Sequence, residues 1–218
     1  MRVLRLKAGD AVVLFNGDGA EYAALIVSTA RDRLTLDVTA RAVTDRESSL
    51  AVTLAQAVSG GERMDYTVQK AVELGAAVIQ PLTAERSVVR LQGERAAKRA
   101  EHWQAVVAAS CEQCGRNRLP QVLPLLSFDA YLAGQAARRD GALNLMLSPH
   151  SARRLRDLER PAGPIVLLAG PEGGFSPREE RAAEQAGFVP ARLGPRVLRT
   201  ETAAVAALAA MQALWGDF

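Results

Sequence analysis

Short apolar runs separated by turn residues fill the first part of the chain. Apolar residues dominate at 11–15 and 21–27, and the Asn-Gly-Asp-Gly sequence between them is a strong hairpin turn signal. Residues 34–38 alternate between apolar and polar with a period of two, as in a half-buried strand. Several short antiparallel strands predict a small β-barrel over residues 1–58.

From residue 49 the pattern changes to strands that alternate with helices. Residues 50–57 are strand-like, and the helical run that follows has its apolar positions on one face and ends at Gly75. Further predicted elements are strand 77–82, a long helix from about 94 to 113, strand 122–125, helix 128–138, strand 143–147, strand 164–168 and a final helix at 202–215. This alternation predicts an α/β domain at 59–218, with a parallel sheet covered on both faces.

Two glycine-bearing loops lie in the C-terminal part of that domain. The Gly-Pro-Glu-Gly-Gly sequence at 170–174 follows a short apolar run that is typical of a buried strand. The second loop, at 193–200, leads into an alanine-rich helix. Three glycines within five residues permit positive φ and a close approach of main chain to a ligand. The ligand is therefore expected between the two loops.

A purely structural interpretation competes with this one. A Gly-Pro pair after a strand is usually just a turn, and Ser176 with Pro177 and Glu179 reads as a helix start with a capping box. Against it, Arg199 and Glu201 are charged residues just before a helix with no further charge up to residue 213. Charges at the mouth of a buried helix favour a site.

Composition restricts the class of protein. The chain has 218 residues, 49% of them apolar, and a net charge of +3, which does not by itself indicate a nucleic-acid partner. No apolar stretch approaches the roughly 20 residues that span a bilayer, and the apolar part of the N-terminus is too short for a signal peptide. We therefore expect a cytoplasmic protein.

The two cysteines, Cys111 and Cys114, have C-x-x-C spacing, which could mark a redox pair or half of a zinc site. No second pair exists, and His102 and His150 lack the spacing of metal ligands. We predict no metal.

The C-terminal segment closely resembles the signature of the RsmE-type 16S ribosomal RNA uridine N3-methyltransferases, a branch of the SPOUT superfamily. The matching blocks are Gly-Pro-Glu-Gly-Gly-Phe at 170–175, Leu-Gly at 193–194 and Val-Leu-Arg-Thr-Glu-Thr-Ala at 197–203. Further matches lie at 61–64, 69–75, 81–82, 85–87 and 112–113 and at Arg116 and Pro120, so the resemblance covers essentially the whole chain. It implies a deep trefoil knot whose loops hold S-adenosylmethionine, an exception to the rule against threaded chains.

The same resemblance implies a PUA-like RNA-binding barrel at residues 1–58. Residues 3–10 match its opening strand. Members of the family usually extend further before this point, so we expect a barrel short of a strand, whether the start is naturally short or truncated. The substrate implied is 16S ribosomal RNA or the small ribosomal subunit.

The resemblance also implies site residues. The cofactor is expected against Leu147, Ala169, Gly170, Pro171, Glu172, Gly173, Gly174, Leu193, Gly194, Val197, Leu198, Arg199, Thr200, Glu201 and Thr202. Arg199 is the candidate that stabilises the uracil anion, since arginine stays protonated. Glu172 or Glu201 is the candidate that accepts the proton from N3. Glu201 could instead only stabilise the start of the last helix. RNA contacts are expected from Arg2, Arg5, Lys7, Arg63, Lys70, Arg86 and Arg116.

Two other functions remain open at this point. A parallel sheet with glycine loops also suits a nicotinamide-dependent oxidoreductase, although no G-x-G-x-x-G follows the first strand. The other alternative is a non-catalytic RNA-binding protein.

A homodimer is also predicted. Residues 202–215 form a helix without charge, small or apolar on nearly every face, and one sheet covers only one side of it. The family is expected to dimerise through this helix. The alternative is burial within one chain, under the helix at 94–113.

Overall fold

The computed structural model describes residues 6–30, 33–135 and 141–218. Two compact units divide the chain: residues up to 47 together with Cys111–Leu119, and Ser48–Ser110 together with Pro120–Phe218. The domain boundary at residue 58 stays a prediction; the strand just before it lies in the second unit.

The first unit contains an antiparallel sheet. Its strands are β1 (Ala11–Leu14), β2 (Ala20–Thr29) and β3 (Leu34–Val43), paired in that order. The predicted hairpin between β1 and β2 is confirmed: Gly17 and Gly19 have φ of 91° and 87°, a region that favours glycine. The side chain of Asp18 stabilises this turn by accepting a hydrogen bond from the N–H of Ala20, at 2.8 Å.

The second unit is an α/β domain with a seven-stranded parallel sheet. Its strands are β4 (Val52–Ala57), β5 (Ala76–Thr83), β6 (Gln121–Val122), β7 (Leu126–Ser127), β8 (Leu143–Leu147), β9 (Ile165–Ala169) and β10 (Val189–Ala191). The order is β10-β8-β9-β4-β5-β6, and β7 also pairs with β5. The helices are α1 (Arg63–Glu73), α2 (Gly93–Cys114), α3 (Phe128–Gln135), α4 (Pro177–Gln185) and α5 (Thr200–Trp215). The predicted fold class is thus confirmed, while the knot stays a prediction.

Two strand predictions were wrong in detail. The strand expected at 122–125 is divided into β6 and β7, with Pro124 between them, because proline has no N–H to donate to a ladder. The short strand β10 was not foreseen, since three residues that include Pro190 carry no periodic signal. The helix expected at 128–138 ends at Gln135 in the described chain, and residues 136–138 lie outside the described residues.

The centre of the sheet forms the core. Strand β9 is buried along its whole length and lies between β8 and β4, with Leu167 paired to Leu145 and Leu54. All three of these side chains are fully buried. Phe128 and Phe175 extend the core beyond the sheet with ring centroids 5.1 Å apart. A strand covered on both faces reads as a continuous apolar run, which explains the sequence pattern.

Helix α4 begins with the capping box that the sequence predicted. The Ser176 hydroxyl accepts from the N–H of Glu179 at 3.3 Å, and the Glu179 carboxylate accepts from the N–H of Ser176 at 2.9 Å. The other oxygen of Glu179 accepts from the N–H of Glu85 at 2.8 Å, so this buried carboxylate also fixes the loop after β5.

Ser176→Ala is expected to lower the free energy of unfolding by about 1 kcal/mol, because an orphan N–H at the start of the helix loses its acceptor. Urea denaturation measures this as a lower midpoint at an unchanged slope. Ser28→Ala, at an exposed strand position, is the control and should leave the midpoint unchanged. Equal midpoints for both variants would show that the cap contributes nothing.

Candidate active site

A cavity of about 400 Å³ lies at the carboxyl ends of β8, β9 and β10. Parallel pairing of β8 with both neighbours brings the three following loops to one edge of the sheet, where ligands of α/β folds bind. Its volume is in the range of small-molecule sites. The predicted cofactor residues that line it are Leu147, Ala169, Gly170, Pro171, Glu172, Gly173, Gly174, Leu193, Gly194, Val197, Leu198 and Thr200. The structure therefore brings the two glycine loops together around one space.

Three of the predicted cofactor residues do not line the cavity. Arg199 is the exposed N-cap residue of α5, Glu201 lies in the first turn of that helix, and Thr202 is exposed. Their proposed roles stay predictions. Arg196, three residues before Arg199, does line the cavity and has an exposed side chain.

The loop after β8 also borders the cavity. Ser148, Pro149 and His150 are the lining residues from this loop that the sequence did not point to, and Arg192 joins them from the end of β10. The sequence predicted strand β8, which precedes this loop, but not a role for the loop itself. Since β10 gives no periodic signal, nothing in the sequence indicated that β8 pairs with β10.

Neutral hydrogen bonds hold the start of the loop at 170–175. The carbonyl of Gly170 accepts from Thr200 Oγ1 at 2.6 Å and from Gln56 Nε2 at 3.3 Å. Gln56 Nε2 also donates to Thr200 Oγ1 at 3.1 Å, so the end of β4, the glycine loop and the start of α5 share one buried contact. Gln56 is fully buried, but one glutamine at a strand end gives no signal in the sequence.

Arg86 holds the other end of this loop. Its Nη1 donates to the carbonyls of Gly173 and Phe175 at 3.1 and 3.3 Å. A Cβ atom on Gly173 would lie 3.1 Å from the Cβ of Arg86, so the absence of a side chain there lets Arg86 approach. Gly174 has φ of +65°, which requires glycine for the turn itself. These two glycines therefore serve the loop geometry as well as the cavity.

Glu172 is engaged with neighbouring protein groups. Its Oε1 accepts from the N–H of Gly60 at 2.7 Å and from Arg63 Nη1 at 2.9 Å. Burial acts to raise the pKa of Glu172, but the hydrogen bonds from Gly60, from its own N–H and from Arg63 together lower it below the ordinary value. The carboxylate is therefore a weaker proton acceptor than a free glutamate.

The residues predicted to contact RNA lie in varied surroundings. Arg86 lines the cavity, Lys70 pairs with Glu73 at 2.7 Å, and Lys7 is exposed. Arg116, in the first unit, is buried and paired with Glu47. Arg2 and Arg5 lie outside the described residues. The RNA-contact assignments stay predictions.

The cysteine pair is not poised for thiolate chemistry. Cys111 is buried, which raises the pKa of its thiol to about 11, and Cys114 is not bonded to it. Within the described part of the chain, no group of three or more His, Cys, Asp or Glu side chains could hold a metal ion. The described helices include none that is long and apolar enough to cross a membrane.

Comparison with known families decides what kind of protein carries this cavity. Residues 46–212 match the family described as RNA methyltransferase domain, and residues 1–39 match the RNA methyltransferase PUA domain. The chain belongs to this RNA methyltransferase family. The first unit therefore contains the PUA region, and the cavity lies in the methyltransferase domain.

Individual relatives agree over nearly the whole chain. The ribosomal RNA small subunit methyltransferase E of Buchnera aphidicola (Schizaphis graminum) is 33% identical to it, over 99% of this chain and 87% of the relative. The enzyme of the same name from Bacillus subtilis is 32% identical, over 97% of this chain and 84% of the relative. A crystal structure of the enzyme of that name from Neisseria gonorrhoeae, bound to S-adenosyl methionine, is 43% identical with a TM-score of 0.91. It aligns with 100% of this chain and 88% of that one. This chain is therefore similar to enzymes of that name over nearly its whole length.

Thr200→Val keeps the shape of the side chain but removes the hydroxyl that links Gly170 and Gln56. The free energy of unfolding is expected to fall by about 1–3 kcal/mol, because a buried carbonyl and a buried amide lose a partner. Thermal or urea unfolding measures the change. Thr200→Ser restores the hydroxyl and should recover most of the loss; a valine variant as stable as the native protein would contradict the shared contact.

Proposed function

We propose that this protein transfers a methyl group from S-adenosylmethionine to N3 of a uridine in small-subunit (16S) ribosomal RNA, in the cytoplasm. The observation that carries the proposal is the cavity between the two glycine loops. Two comparisons also support the proposal: the name of the relatives, and the S-adenosyl methionine bound in the Neisseria gonorrhoeae structure.

The residues around the cavity fit this cofactor. Residues 170–174 and 193–194 line the cavity, and their four glycines offer only backbone amides and carbonyls, which suit the polar groups of a nucleoside and an amino acid. The lining cofactor residues named above are the proposed binding residues, with Arg199, Glu201 and Thr202 proposed beside them. When bound, the sulfonium supplies the methyl group: the new N–C bond forms as the C–S bond breaks, and its electron pair stays on sulfur.

The chain must then make N3 nucleophilic. N3 of uracil carries a proton as a weakly acidic imide, so a group that stabilises the anion favours its loss. Each pKa unit of lowering corresponds to about 1.4 kcal/mol. A guanidinium suits this role because it stays protonated, and we propose Arg199 for it, on the same loop as the cavity-lining Arg196. Glu172 and Glu201 are the proposed proton acceptors.

Incubation of the protein with small-subunit RNA and methyl-labelled S-adenosylmethionine tests the proposal. Mass spectrometry of the nucleosides should find labelled N3-methyluridine. Label on another atom would refute the assigned position. If calorimetry instead shows binding of a nicotinamide dinucleotide, an oxidoreductase is favoured. If the protein binds RNA but no cofactor, a non-catalytic protein is favoured.

Gly194→Val should weaken S-adenosylmethionine binding at least tenfold, about 1.4 kcal/mol, without unfolding the protein. Gly194 lines the cavity, its φ is not in the left-handed region, and no described protein atom lies within 4 Å of a Cβ built on it. The new side chain therefore meets the ligand rather than the protein. Isothermal titration measures the affinity, and Gly134→Val, also in open space but on α3, is the control. Equal affinity in both would place the cofactor elsewhere.

We also propose a homodimer formed through α5. Ala204, Ala207, Leu208 and Met211 are buried on one face, where α5 packs against α1. The opposite face is apolar and incompletely covered: it comprises the partly buried Val205, Ala206, Ala209 and Ala210, with Ala213 and Leu214 exposed. Burial under α2, the alternative, does not cover this face, since the principal helical neighbour of α5 is α1. A second copy of the same helix would cover it.

Ala209→Glu should convert the dimer to a monomer, because it places a charge at the centre of the apolar face. Light scattering at micromolar concentration gives the mass. Ala105→Glu, at an exposed position of α2, is the matched control and should remain a dimer. A native protein of monomer mass with full activity would refute the proposal.

A further inference from the structure

Arg63 lies between the two loops that form the cavity. It is the first residue of α1, and its Nη1 donates to Glu172 Oε1 at 2.9 Å. Its Nε lies 4.0 Å from Glu201 Oε1, at the start of α5. One guanidinium therefore contacts a carboxylate from each side of the site: Glu172 from the loop after β9 and Glu201 from the helix that follows the second loop.

Both carboxylates of this contact are more buried than the guanidinium that they share. The side chains of Glu172 and Glu201 are only 25% and 16% exposed, against 47% for Arg63. Two partly desolvated carboxylates near one another repel, so a shared cation stabilises both. Glu201 Oε2 is buried and has no hydrogen-bond partner among the described residues, and Arg63 and the helix start are positive groups beside this carboxylate.

The main chain adds a second fixed point. The N–H of Gly60 donates to the same Oε1 of Glu172 at 2.7 Å, and a Cβ on Gly60 would come within 3.6 Å of that oxygen. The carboxylate of Glu172 is thus held by a backbone donor from the segment before α1 and by the guanidinium of the first residue of α1. The lowered pKa of Glu172 agrees with this geometry.

We propose that Arg63 is a positioning residue: by pairing with Glu172 and Glu201 it fixes the two cavity loops relative to one another, rather than contacting RNA. The proposal rests on the proposed function, because one of its tests measures the rate of methyl transfer. It gives both carboxylates a structural role as partners of Arg63, in addition to the proton-acceptor role proposed above. The residue contacts neither the reacting atoms nor the nucleic acid.

The test compares Arg63→Met, Arg63→Lys and the control Arg181→Met, an exposed arginine of α4 that does not line the cavity. Calorimetry gives the cofactor affinity, single-turnover assays at saturating RNA give the rate, and titrations at several salt concentrations give RNA affinity. Arg63→Met should weaken cofactor binding about tenfold and slow the single-turnover rate, with RNA affinity and its salt dependence unchanged. Lysine should rescue only in part, because a point charge cannot serve both carboxylates as a planar fork does.

The opposite pattern would overturn the proposal. If Arg63 contacts a phosphate, Arg63→Met lowers RNA affinity and reduces the salt slope by about one, and cofactor affinity stays the same. A native protein that binds no cofactor would instead refute the proposed function, so the two failures are distinct.

A thermodynamic cycle tests the pair without any ligand. Unfolding of Arg63→Met, Glu172→Gln and the double variant should be non-additive, with the double variant no less stable than the worse single one. Additive losses would show that the two side chains do not act together. The pH dependence of the single-turnover rate separates the two roles of Glu172: Glu172→Gln removes the acidic limb if Glu172 is the base and leaves the profile unchanged if Glu172 is only a partner of Arg63.

Discussion

Three carbonyls and one carboxylate of the loop at 170–175 accept hydrogen bonds from donors elsewhere in the domain. Thr200 and Gln56 donate to Gly170, Arg86 to Gly173 and Phe175, and Gly60 with Arg63 to Glu172. These donors hold the glycine-rich loop in one conformation. A loop this rich in glycine would otherwise lose its shape to conformational entropy.

The donors come from segments far apart in the chain, and the parallel sheet is what assembles them. Strand β4 lies at the centre, paired with β9 on one side and β5 on the other, so Gln56, Gly170 and the segment that carries Arg86 lie near one edge. Helix α5 completes the arrangement by presenting Thr200 at its first turn. A shift in strand register would therefore displace the donors together with the loop.

Most of the α/β framework follows from periodicity, because helices and buried strands of ordinary length carry strong apolar signals. Strand β9 and helix α5 are examples, and the capping box at Ser176 was correct to the residue. Strands too short to show a period were the exceptions: β10 was absent from the prediction and β7 displaced. Most predicted cofactor residues line the cavity because they follow strands directly, whereas Arg199 is the N-cap of the next helix and Glu201 lies in its first turn.

The sequence by itself determined the order of most elements, the two glycine loops and, through its linked motifs, the RNA methyltransferase family. The loops and the linked motifs are local: they depend on spacing within some 40 neighbouring residues, from the end of β9 to the first turns of α5. Only the tertiary structure decided that Arg63 faces Glu172 and Glu201, that Gln56 joins Gly170 to Thr200, and that Arg196 rather than Arg199 borders the cavity. Such pairings join residues more than 100 positions apart, and they are fixed by strand order and register, which leave no periodic trace in the sequence.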